Sequence, residues 1–142
     1  PAAGPALLPR PSPAAQQRGG LARLLRLTAA DRTALRRAYV EAYPCGGTGA
    51  TGRDPRPEDV VIPKGTVFYG EVAGPDPGAD TFWAVGPVYV KGPHGDPDRA
   101  VPQVWKRAGG GPWVYAGAGP AGGCAQVPAL LRALWERSPC PP

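Results

Sequence analysis

The sequence predicts an α+β domain: an antiparallel sheet of four to five strands, arranged as a meander and flanked by an N-terminal and a C-terminal amphipathic helix. Three observations predict it. Leu35, Ala38, Tyr39, Ala42 and Tyr43 recur at helical spacing near the start, and Val127, Leu130, Leu131, Leu134 and Trp135 do so near the end. Between them lie short apolar stretches of strand composition, each bounded by Gly/Pro clusters. Runs of strands bracketed by helices argue for an antiparallel sheet rather than βαβ units.

Each element has a local reason. Residues 1–20 carry Pro at positions 1, 5, 9, 11 and 13, which removes donors and fixes φ, so they read as a disordered, Pro-rich leader. Residues 21–142 form the single small domain. Leu21, Leu24 and Leu25 sit at helical spacing. Thr28 with Asp31 three residues on is close to a capping box, and opens a helix over about 29–43 that Pro44 ends. Residues 46–58 are loop by composition. Short strands follow at 60–62, 65–73 and 81–91. The last, TFWAVGPVYVK, is interrupted by Gly86-Pro87, where a bulge or an edge position is expected. Residues 102–107 and 112–116 flank Ala-Gly-Gly-Gly as a hairpin. A second amphipathic helix follows, with Pro128 in its first turn. Both helices are expected on one face of the sheet.

Charge is unevenly spread over the 142 residues. Residues 1–40 hold seven arginines against Asp31 alone, and the rest holds nine basic and ten acidic residues, for a formal net charge of +5. A basic segment of this kind suits an anionic surface or nucleic acid. Yet no nucleic-acid-binding motif accompanies it, and the plainer reading of Arg32, Arg36 and Arg37 is a solvated helix face.

The chain has three cysteines: Cys45, Cys124 and Cys140. Their spacing suits neither a metal site nor a redox C-x-x-C motif. One disulfide plus one free thiol is the simplest arithmetic in an oxidising compartment; three reduced thiols is the alternative. Cys124 and Cys140 bracket the second helix, whose ends lie about 16 Å apart at 1.5 Å per residue. A disulfide needs Cα atoms within roughly 7 Å. Cys45 with Cys124 or with Cys140 is therefore favoured over Cys124 with Cys140. The chain starts at Pro1 without Met and has no apolar run near 18 residues, so it is read as secreted or extracytoplasmic, its signal peptide removed, with no transmembrane segment.

Catalytic chemistry finds little footing. The only serines are Ser12 and Ser138, and the only histidine, His94, lies in a Gly/Pro turn. Asp76 and Asp80, then Asp96 and Asp98 beside His94, read as turn residues rather than a calcium loop. Gly117 to Gly123 precedes a helix but lacks the lysine of a phosphate loop. No cofactor or metal is implied. The aromatics Tyr69, Trp83, Trp105, Trp113 and Tyr115 fall on predicted strands and form the ligand-binding candidate set, a platform for a sugar, a peptide or a protein. The plainer reading is sheet core. Since both faces carry aromatics and the helices are expected on one, some rings must be exposed or covered by loops.

The segments TFWAVG (81–86), VWKR…GPWVYAG (104–117) and CAQVPALLRALW (124–135) resemble small secreted actinobacterial proteins of unknown function. The resemblance covers about the last ninety residues. It implies export and a single α+β body, and carries no activity to any residue.

The reading is a secreted, non-enzymatic binding or interaction module with a protein or extracellular polymer as partner. Two alternatives stand beside it: a small secreted hydrolase or an accessory subunit of one, and an anionic-surface or nucleic-acid binder acting through the basic segment. Exposure of Trp105 and Trp113 would favour the module.

Overall fold

The computed structural model describes residues 20–42, 56–91 and 101–140. The leader up to residue 19, the expected helix end at Tyr43-Pro44, Cys45, His94, Asp96 and Asp98 lie outside the described residues. In chain order the elements are β1 (Ala22–Leu24), α1 (Ala29–Glu41), β2 (Val60–Val61), β3 (Phe68–Val72), β4 (Thr81–Gly86), β5 (Tyr89–Val90), β6 (Gln103–Ala108), β7 (Val114–Ala118), α2 (Gly123–Gln126) and α3 (Ala129–Leu134). Five strands form one antiparallel sheet in the order β1-β3-β4-β6-β7, and β2 with β5 make a separate two-stranded ribbon.

The α+β class and the antiparallel five-stranded sheet agree with the sequence reading, with two local corrections to the strands. First, residues 21–27 are not helical. Leu21 and Leu25 join the ladder as backbone partners, through Ala73 N–H to Leu21 C=O (2.7 Å) and Leu25 N–H to Tyr69 C=O (2.9 Å). Three leucines within one helical turn and a half do not separate the two periods, and the open edge of β3 decides for the strand. Second, the 81–91 run leaves the main sheet at Gly86-Pro87. A side chain at Gly86 would lie 3.2 Å from Thr66 C=O, and Pro87 has no N–H for the ladder. The chain therefore steps out, and β5 pairs with β2 instead.

Helix α1 begins as its sequence dictates. The Thr28 hydroxyl accepts from Asp31 N–H (3.0 Å), and the Asp31 carboxylate accepts from Thr28 N–H (3.0 Å). The second helical stretch is split. Val127 is extended (φ −67°, ψ 129°), because Pro128 after it disfavours the α region, and so α2 stops and α3 starts afresh.

Strand alternation sorts the core into two clusters on opposite faces of the sheet. On one face Tyr69, Ala84, Trp105 and Trp113 pack with Leu35, Ala38 and Tyr39 of α1. On the other, Trp83, Val85 and Val104 pack with Cys124, Val127, Leu131, Trp135 and Cys140. The expectation that both helices share one face is thus corrected. Trp83 and Ala84 are adjacent on β4 and point to opposite sides, and each side buries its own aromatics.

The favoured pairing of Cys45 is corrected as well: Cys124 is bonded to Cys140, with Cα atoms 5.3 Å apart. The earlier geometry assumed one helix of about 16 Å. Helix α3 has six residues, about 9 Å. After it the chain reverses at Arg137 (φ 60°), which returns residue 140 to the start of α2. Both sulfurs lie in the second cluster.

Candidate functional site: an apolar pocket on the sheet

The face that α2 and α3 cover is covered only in part. Trp83 on β4, Lys106 on β6 and Val114 on β7 stand side by side, since Trp83 pairs with Lys106 and Lys106 with Val114. Next to this row lie Thr81 and Ala108, also paired. Both side chains are small, and the β6–β7 turn continues with Gly111 and Pro112. Together they line a pocket of about 260 Å³, open to solvent on one side and mostly apolar in surface. None of its lining residues comes from α2 or α3.

Local structure fixes the β6–β7 turn beside the pocket. Gly109 sits at φ 53°, and its N–H donates to Asp80 C=O (2.7 Å). A side chain at Gly109 would fall 2.8 Å from Gly78 C=O, so this turn packs closely on residues 77–79. The Asp80 carboxylate is buried and accepts from Gly74 N–H (2.9 Å), a turn-capping role for one of the carboxylates weighed above. Among the described residues no group of three His, Cys, Asp or Glu could hold a metal.

Lys106 is exposed at the pocket. Its ammonium donates to the Gln126 side-chain oxygen (3.3 Å), and the Gln126 amide nitrogen donates to Ala116 C=O (2.8 Å). Gln126 therefore ties α2 to the bulged edge strand β7 and steadies Lys106 through a neutral partner. Arg107, next along β6, contributes no guanidinium here. That group lies on the opposite face, 4.3 Å from the centre of the Phe82 ring and 5.4 Å from that of Trp113.

Of the five aromatics singled out from sequence, the structure brings one to this pocket. Trp83 lines it and is 8% exposed. The other four gather on the α1 face. Trp105 is fully buried, and Tyr69 and Trp113 are nearly so. Tyr115 is half-buried, its ring centre 5.3 Å from that of Tyr39 and 6.0 Å from that of Trp105. The two indoles whose exposure would favour a binding module are thus inside, and they lend it no support. Trp83, Trp105, Trp113 and Trp135 all bury their indole N–H without an acceptor among the described residues.

Tyr69 has a neighbourhood of its own. Burial pushes its phenol pKa up, the nearby Asp31 carboxylate adds to that, Arg107 opposes it and Glu71 supports it. Glu71 is buried at 3% exposure, and its carboxylate takes its charge-assisted hydrogen bond from Arg23, the residue facing it on β1. One arginine of the basic segment thus serves a buried carboxylate, and Arg36 donates to the Thr33 hydroxyl (3.2 Å).

Sequence reasoning missed Lys106, Thr81, Pro112 and Val114. The signal was the register: only pairing β4 with β6 and β6 with β7 puts them beside Trp83. No protein-family model, curated protein or solved structure matches this chain.

Proposed function

We propose that the chain is a secreted, non-enzymatic binding module and that the pocket beside Trp83 is its recognition site. The observation that carries this is the pocket's make-up: about 260 Å³, mostly apolar, lined by a tryptophan and a lysine and, among the described residues, by no thiol, imidazole or carboxylate side chain. Such a site buries and orients a guest; among the described residues its hydroxyl, on Thr81, and its amine, on Lys106, share no hydrogen bond that would make them a nucleophile–base pair. The Cys124–Cys140 disulfide supports an oxidising, extracytoplasmic setting. No helix among the described residues is long and apolar enough to cross a membrane.

The experiment is an amide and indole NMR titration with a neutral bicyclic probe, 2-naphthylmethanol. The expected result is saturable shifts confined to Thr81, the Trp83 indole, Lys106, Ala108 and Val114. Shifts scattered over the surface, or none, would overturn the proposal.

A further inference from the structure

Resting on that reading, we infer that the pocket takes a small ring compound bearing a carboxylate, an aryl carboxylate about the size of a naphthoate. Size comes first. An apolar cavity of about 150 Å³ accommodates benzene. The 260 Å³ here leaves room for a second fused ring or an equivalent substituent. Shape and chemistry come next. Trp83, Pro112 and Val114 supply apolar wall, and an indole favours offset or edge contact with another ring.

Charge then selects the head group. Among the described lining residues Lys106 and Arg107 carry formal charge, and the guanidinium of Arg107 stacks on Phe82 and Trp113 across the sheet, which leaves Lys106. Among the described residues no Asp or Glu lines the pocket, and the hydrogen-bond partner of Lys106 is the neutral amide of Gln126. Lys106 thus keeps its full charge, and an exposed, flexible lysine can turn from Gln126 toward a guest. A ring seated against Trp83 with its carboxylate toward Lys106 buries its apolar part and meets an ammonium whose charge is still available. A cationic or purely aliphatic guest gains only one of these terms, or is opposed by the lysine.

The test compares 2-naphthoate with 2-naphthylmethanol on the oxidised full chain, by calorimetry and by the NMR shifts of Val114 and the Trp83 indole. Naphthoate is expected to bind about fivefold or more tightly than the alcohol, and that advantage should vanish both in Lys106→Gln and at high salt. Lys106 is exposed, so its replacement leaves the fold intact. If the alcohol binds as well as naphthoate, and Lys106→Gln changes neither, the carboxylate preference is wrong while the pocket stands. If Val114→Trp, which fills the pocket from an exposed position, leaves naphthoate affinity unchanged, the ligand sits elsewhere and both the preference and the pocket are refuted.

Discussion

Replacing Leu131 by Ala tests the packing that frames the pocket's face. Leu131 is fully buried. It points at Gly70 of β3: a Cβ placed on that glycine would stand 2.7 Å from a Leu131 methyl and 2.9 Å from Arg23 C=O. Leucine on the helix and glycine on the strand therefore fit as knob and hole. Losing three methylene-sized groups costs about 2.4 kcal/mol at roughly 0.8 kcal/mol each. The vacated volume adds about 1–2 kcal/mol, because the site cannot collapse. Gly70 has no side chain to move in, and the disulfide fixes both flanks of the segment. The expected loss is about 4 kcal/mol, read as a shift in the urea midpoint of tryptophan fluorescence with the slope unchanged. Leu130, one residue earlier and 55% exposed, is the internal control, and Leu130→Ala should cost less than about 0.5 kcal/mol. Leu134, also exposed, should behave like Leu130 although its spacing in the sequence resembles a core position. A Leu131→Ala loss below about 1 kcal/mol, or one equal to that of Leu130→Ala, would refute the reasoning.

Reducing the Cys124–Cys140 disulfide, or replacing both cysteines by Ser, should lower stability by about 3 kcal/mol for a closed loop of 16-residue separation, measured by urea unfolding with and without reductant; unchanged midpoints would show that the bond constrains nothing. Arg23→Ala should cost about 1–2 kcal/mol, discounted for the exposure of the arginine, because it leaves the Glu71 carboxylate buried without its cation. In the Glu71→Gln background the same change should cost markedly less, and a double-mutant cycle without coupling would contradict the pairing. Tyr69 gives a pH signature. Its pKa in the folded chain lies above the ordinary 10.0, so the folded state holds this proton more tightly than the unfolded chain does. Its contribution is complete below pH 10 and is lost as pH rises through the folded value. Stability should fall in that alkaline window, and Tyr69→Phe should flatten the fall; an identical slope in the variant would argue against the burial and the carboxylates as cause.

Much of this architecture was legible because local chemistry agreed with the tertiary outcome. Thr28 and Asp31 cap α1 in sequence and in space, and Gly86-Pro87 marked an interruption of the 81–91 run, although not that the chain would leave the sheet there. What was illegible depended on long-range pairing. Residues 21–27 are too short for their leucines to distinguish a helix from a strand; the decision came from the β3 edge and from Glu71, about fifty residues away. The break at Pro128 was visible as a proline, but its consequence, that two short helices let the chain double back and bring Cys140 to Cys124, required the three-dimensional path. The aromatics were recognised as a set and then divided by the sheet: Tyr69, Trp105, Trp113 and Tyr115 to the α1 face, Trp83 to the other. The pocket itself could not be read, since Lys106 and Val114 look like ordinary strand residues until their register places them beside Trp83.

The most direct test of the account is a calorimetric titration of 2-naphthoate into the oxidised chain and into Val114→Trp. Val114 is 50% exposed, so the larger ring closes the pocket without entering the core. The account predicts one site per chain, affinity lost in the variant and an unchanged thermal midpoint. Equal binding by both proteins, or by neither, would contradict it.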